Sequence, residues 1–201
     1  MNSNTNKNLK MAKRRNRKVY ITDIAISKVP RIEYKGLSKQ ENDLLYSFAV
    51  LVLKTAKDEN DSNEVAVTCL LDKEESDNAF GISFGDEHGV DVCADTLSNH
   101  LIVSCSECAV IVLHNHPSTQ TLSLEDISFF IHYDTVKIII VVTNQGNVHY
   151  LCKEKHYSPY EAITLYNECI MELTIESSWK DIYFAGLNFL SRCSEVGMYY
   201  S

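Results

Sequence analysis

Apolar positions along the chain fall into two spacings. Behind Ser38, residues Leu44, Leu45, Phe48, Leu51, Val52 and Thr55 recur every three or four positions, which predicts an amphipathic helix over 39–57. Ser38-Lys39-Gln40-Glu41 at its start has the form of a capping box, in which Ser and Glu each satisfy an otherwise unpaired backbone N–H. Short β-branched or apolar runs at 64–71 (EVAVTCLL), 79–84, 109–113 (AVIVL), 136–143 and 147–151 predict strands, the first too apolar to be solvated on both faces. A further β-rich run, 19–26 (VYITDIAI), predicts a first strand ahead of the interruption at Pro30. Helices are expected over 95–104, over 124–133 behind Ser123, over 160–176 behind Pro159, and over 179–191. Asn144-Gln145-Gly146 between two strands is a hairpin signal. Strands interleaved with helices predict an α/β fold: a mixed central β-sheet flanked by helices.

Composition narrows the class. The 201 residues are 45% hydrophobic and 23% charged, with seven Gly and three Pro, which excludes collagen-like, low-complexity and wholly disordered chains. The length suits a single core domain over 19–152, with a basic tail (1–18) before it and a helical extension (153–201) after it. The longest apolar run, 136–142, is strand-sized, well short of the roughly 20 residues of a membrane span, so no membrane role is expected. The tail has no apolar stretch of the kind a secretory signal needs. Seven cysteines without framework spacing fit a reducing compartment, and a cytoplasmic location is the expectation.

Charge is unevenly placed. The net charge is −8, yet residues 1–18 hold seven Lys or Arg and no acid, so 19–201 carry 12 basic against 27 acidic residues. An acidic body argues against a nucleic-acid surface on the folded part. The basic tail suits either a solvated arm that folds back on that body or a contact with nucleic acid or an acidic partner.

The chemistry concentrates in His114-Asn115-His116-Pro117 and Ser123-Leu124-Glu125-Asp126. Alternate positions at a strand end put both imidazoles on one side of the chain. Asn115, between them, should point away and can hold the loop by hydrogen bonds. A carboxylate ten residues beyond His116, at a helix start, can supply a third ligand once the loop folds back. Two His and one Asp leave a fourth tetrahedral position for water, as in catalytic zinc sites. Ser123, one turn from Asp126, can offer its hydroxyl to a developing oxyanion. Simpler roles compete: core histidines, an Asp favoured by the helix dipole, a Ser that only caps.

This set resembles the JAB/JAMM (MPN-plus) metallopeptidase family, and HNHPS at 114–118 resembles its RadC-like bacterial branch. Six residues separate His116 from Ser123, where the family pattern has seven. The resemblance implies a cytidine-deaminase-like layering and a zinc-dependent hydrolase of peptide or isopeptide bonds, acting on a protein or peptide substrate. It implies zinc on His114, His116 and Asp126, with Ser123 steadying the intermediate. It also implies an upstream catalytic acid on a strand about fifty residues before the histidines. Glu64 fits that place, ahead of the loop residues Glu59, Glu74 and Glu75. Two rivals remain: a binding module in which the short loop spoils the site, and a RadC-like protein of DNA repair or mobile elements. Cys105-x-x-Cys108 lacks the second pair that a structural zinc would need. The aromatic residues of 153–201 suit either a core or an interface.

Overall fold

The computed structural model describes residues 18–71 and 80–201. Its centre is a six-stranded sheet in the order β2-β1-β3-β4-β5-β6. The strands are β1 (Val65–Leu70), β2 (Phe80–Phe84), β3 (Val110–His116), β4 (Val136–Thr143), β5 (Val148–Lys153) and β6 (Met198–Tyr200). Only β3 and β4 run parallel; every other neighbour is antiparallel. The parallel pair is joined by a crossover through helix α4 (Leu124–His132), since two parallel strands cannot be closed by a hairpin.

Two apolar layers sandwich the sheet, which is the expected α/β arrangement. On one face, α2 (Lys39–Glu59) lays Leu45, Phe48, Val52 and Leu53 against Val65, Val67, Ile111, Leu113, Ile138 and Ile140. On the other, α3 (Thr96–Ser104), α4, α5 (Pro159–Ile170) and α6 (Trp179–Arg192) bring Ile102, Ile127, Phe130, Leu165 and Phe189 against Val110, Val112, Ile139, Val141 and Leu151. Covered on both sides, β3 is buried at all seven positions. The alternation of a strand then fixes the polar residues at its end. His114 and His116 continue the face of Val110 and Val112, and Asn115 continues the face of Ile111 and Leu113.

The expected strand over 19–26 is instead an irregular segment followed by α1 (Asp23–Ser27). Thr22 accepts the Ala25 N–H at 3.1 Å and Asp23 sits in the first turn, so capping chemistry outweighs the β-branched pattern. The helix expected over 160–176 stops at Ile170. Beyond it the Thr174 N–H donates to Ser177 Oγ at 2.8 Å and the Glu176 N–H to Thr174 Oγ1 at 3.3 Å, local bonds that compete with helix continuation. The segment after 152 brings two helices and also the edge strand β6, and its Phe189 is fully buried. The tail at 1–17 and the loop acids Glu74 and Glu75 lie outside the described residues. No helix among the described residues is long and apolar enough to cross a membrane.

Candidate metal centre

The site stands at the C-terminal end of β3, where the parallel pair hands over to the crossover, the usual place for a site in such a sheet. His114 and His116 are 3% and 2% exposed, with their Nε2 atoms 3.0 Å apart. Asp126, in the first turn of α4, reaches back so that Oδ1 lies 3.1 Å from His114 Nε2 and Oδ2 lies 3.3 Å from His116 Nε2. Burial alone would raise the Asp126 carboxyl; the charges and hydrogen bonds of the two imidazoles outweigh it and hold the group well below the usual carboxylate range.

Two of the three side chains, His116 and Asp126, are held from behind. His116 Nδ1 lies 3.3 Å from the Gln120 carbonyl; donation there leaves Nε2 with a free lone pair, the tautomer a metal ligand needs. Asp126 Oδ2 accepts the Ser123 N–H at 2.6 Å and the Ser123 hydroxyl at 2.7 Å, while the Asp126 N–H donates to Ser123 Oγ at 3.1 Å. This capping box leaves Oδ1 as the oxygen with the larger free acceptor capacity. His114 Nδ1 is buried with no hydrogen-bond partner among the described residues.

Glu64, just ahead of β1, joins from the neighbouring strand. It is 3% exposed, and Glu64, His114 and His116 bring ligand atoms to within 4.8 Å of one another. Its rival Glu59 is exposed at the end of α2. All five residues singled out around the histidine motif therefore meet in one place.

The dimensions fit a tetrahedral ion. At metal–ligand distances of about 2.0–2.1 Å, two ligands at the tetrahedral angle stand about 3.3–3.4 Å apart. Taken pair by pair, the separations here, 3.0 Å between the two Nε2 atoms and 3.1 and 3.3 Å from them to the two different oxygens of the Asp126 carboxylate, are close to that edge length. Nitrogen and carboxylate donors suit zinc and other divalent transition metals.

The six-residue loop between His116 and Ser123 is tied to both ends of the described chain. The Val19 N–H donates to the Pro117 carbonyl at 2.7 Å, and Thr121 Oγ1 and the Tyr200 hydroxyl of β6 share a hydrogen bond at 2.8 Å. Tyr200 also stacks on His149, with ring centroids 6.3 Å apart. Burial, then the charge of His116, lowers the His149 pKa. None of these supports was legible beforehand, because a strand of three residues and a single threonine carry no pattern of their own.

The histidines open on a cleft of about 1140 Å³. The segment around Asp91 and Cys93 forms one wall, and Phe129, Trp179, Ile182 and Tyr183 form another. No protein-family model, curated protein or solved structure matches the chain.

Proposed function

We propose that the protein is a metal-dependent hydrolase that cleaves a peptide or isopeptide bond, as its resemblance to the JAB/JAMM family implies, with zinc as the metal. The observation that carries the reading is the cluster of His114 Nε2, His116 Nε2 and the two oxygens of the Asp126 carboxylate lining a cleft, with Glu64 beside it. Buried polar clusters of this density are costly unless a partner compensates them. A divalent ion would compensate this one.

When bound, such an ion supplies Lewis acidity and lowers the pKa of a coordinated water from 15.7 to about 7. His114 and His116 would hold it through Nε2, and Asp126 through its carboxylate. Glu64 is the acid/base: a carboxylate this close to the ligand atoms can take a proton from the nucleophile and return it to the leaving amine. Ser123 orients Asp126 through Oγ; to steady an oxyanion its hydroxyl would have to turn from Asp126 Oδ2 toward the substrate. Among the described residues the cleft is lined by the carboxylates of Asp91 and Glu125 besides Glu64 and Asp126, and acidic walls of this kind suit a protein or peptide chain better than a polyanionic nucleic acid.

The test is metal content. Purified protein should carry one zinc per chain, and His116→Ala should carry none; a wild-type protein that takes up no divalent ion overturns the proposal. The commitment of the Ser123 hydroxyl to Asp126 favours one second reading, a metal-bearing binding module without turnover. Hydrolysis of peptide and isopeptide libraries that disappears in Glu64→Gln separates the two.

A further inference from the structure

Asn115 lies between the two histidines and faces the opposite side of the sheet, completely buried. Its carboxamide is engaged at both ends. Oδ1 accepts the Val65 N–H at 2.8 Å, and Nδ2 donates to the Asn63 carbonyl at 3.0 Å and to Asn144 Oδ1 at 2.8 Å. The first two contacts are to the peptide groups immediately before and after Glu64. The regular β1–β3 ladder ends one step earlier, at Ala66 opposite His114. Past that point a side chain continues the pairing in place of the main chain.

Asn144 completes the clamp. It is also fully buried, its Nδ2 donates to the Val19 and Ser62 carbonyls at 2.7 and 2.9 Å, and its N–H donates to the His116 carbonyl at 2.9 Å. On the other edge of the same segment the Glu64 N–H donates to the Asp86 carbonyl and the Gly85 N–H to the Glu64 carbonyl. Glu64 thus has its backbone pinned on both sides, and only the β3 side is pinned by a side chain from the histidine motif itself.

We infer that Asn115 is a positioning residue for Glu64: its carboxamide grips the two peptide groups flanking Glu64 and sets where that carboxylate stands against the His114–His116 pair. The inference rests on the metal-centre reading above. It makes the HNH sequence a single device, in which the outer residues bind the ion and the middle one delivers the acid/base from the next strand. A merely structural Asn115 would satisfy buried N–H and C=O groups and leave the behaviour of Glu64 toward an ion unchanged.

The experiment is a double-mutant cycle read by Co2+ affinity, with Co2+ alone as the probe and folding checked by near-UV circular dichroism and thermal unfolding. Wild type should bind one Co2+. Glu64→Gln replaces a carboxylate within 4.8 Å of both histidine ligand atoms, where its charge favours a dication, by a neutral amide, and should weaken binding by about tenfold. Asn115→Ala should weaken it comparably, and Glu64→Gln/Asn115→Ala should lie within about twofold of Glu64→Gln alone. Asn115→Asp, which keeps the Val65 acceptor and the side-chain volume but loses both donor contacts, gives the same comparison where the alanine variant does not fold. Factors that multiply in the double variant overturn the inference, because Asn115 would then act on the ion by another route. So does unchanged affinity in either single variant. Wild-type protein that binds no Co2+ removes the metal centre itself, a result distinct from a multiplicative cycle.

Discussion

The Ser123 hydroxyl donates to Asp126 Oδ2 at 2.7 Å and receives the Asp126 N–H at 3.1 Å, so one pair of residues both starts helix α4 and aims a carboxylate at two imidazoles. Two other helices start with the same reciprocal bonds, Ser38 with Glu41 and Ser178 with Asp181. What distinguishes Ser123–Asp126 is its neighbours: its carboxylate faces His114 and His116, and those at the other two helices do not.

Ser123→Ala should therefore cost more than a cap. Loss of the N-cap is worth about 1 kcal/mol, visible as a lower midpoint of urea unfolding. Loss of one of the two bonds that hold Oδ2, with the backbone N–H of residue 123 still in place, should also loosen the Asp126 side chain and weaken zinc binding by up to about tenfold in a chelator competition, the range for groups behind a ligand. Lower stability with unchanged zinc affinity would reduce Ser123 to a helix cap.

Tyr200 extends the same logic to the far end of the chain. Tyr200→Phe removes only the hydroxyl shared with Thr121, a bond worth about 1 kcal/mol, from the loop that links His116 to Ser123. Zinc should be held several-fold less tightly and released faster to a chelator. Tyr199→Phe is the control: Tyr199 lies beside Lys35 and Tyr150, away from the loop, and its hydroxyl should not affect metal affinity.

What could be read from the chain divides along a physical line. The helix behind Ser38 and the strand running into His114 were legible because their signals are local: a period, a cap, a β-rich run. The convergence of His114, His116, Ser123 and Asp126 was legible because strand alternation and a helix start fix their directions within about a dozen residues. Glu64 could be located only through a family resemblance, since the ladder that carries it to the histidines spans fifty positions. β6, the clamping contacts of Asn144 and the Thr121–Tyr200 bond were illegible for the same reason, being defined by partners far away in sequence. The segment 19–26 misled in the opposite sense: its β-branched residues point to a strand, but no strand among the described residues pairs with them, and Thr22 caps a short helix instead.

The aromatic wall of the cleft gives a prediction about substrate rather than metal. Trp179 and Tyr183 are half-buried on α6 and line the cleft with Phe129. Aromatic side chains so placed grip extended apolar or cationic residues of a bound chain. With a peptide cleaved by the wild type, Trp179→Ala should raise KM several-fold, with a smaller change in kcat and no change in zinc content. A fall in kcat alone, at constant KM, would place the substrate elsewhere.

Lys153 yields a pH dependence with a definite sign. The residue is fully buried; its Nζ donates to the Tyr133 carbonyl at 2.7 Å and lies over the rings of Phe130 and Tyr157 at 4.7 and 5.0 Å. Burial pushes the ammonium down to about 8, from an ordinary value of 10.5, against the smaller pull of Cys108, Asp134 and Glu107. Between those two values the unfolded chain binds more protons than the native one, so this group makes stability rise with pH through that window. Below about pH 8 the full cost of burying the charge is present, and above about 10.5 it has gone. A shift of this size corresponds to about 3 kcal/mol. Buried tyrosines and thiols titrate in the same range with the opposite sign, so the wild-type curve alone does not isolate the lysine. The difference between wild type and Lys153→Met does, because the other groups cancel. Urea unfolding at pH 7, 8, 9 and 10 should show wild type gaining on the variant by about 2.5 kcal/mol across the series, whatever constant offset the lost Tyr133 bond contributes. A difference that stays flat with pH would mean that Lys153 keeps its proton in the fold as readily as in water.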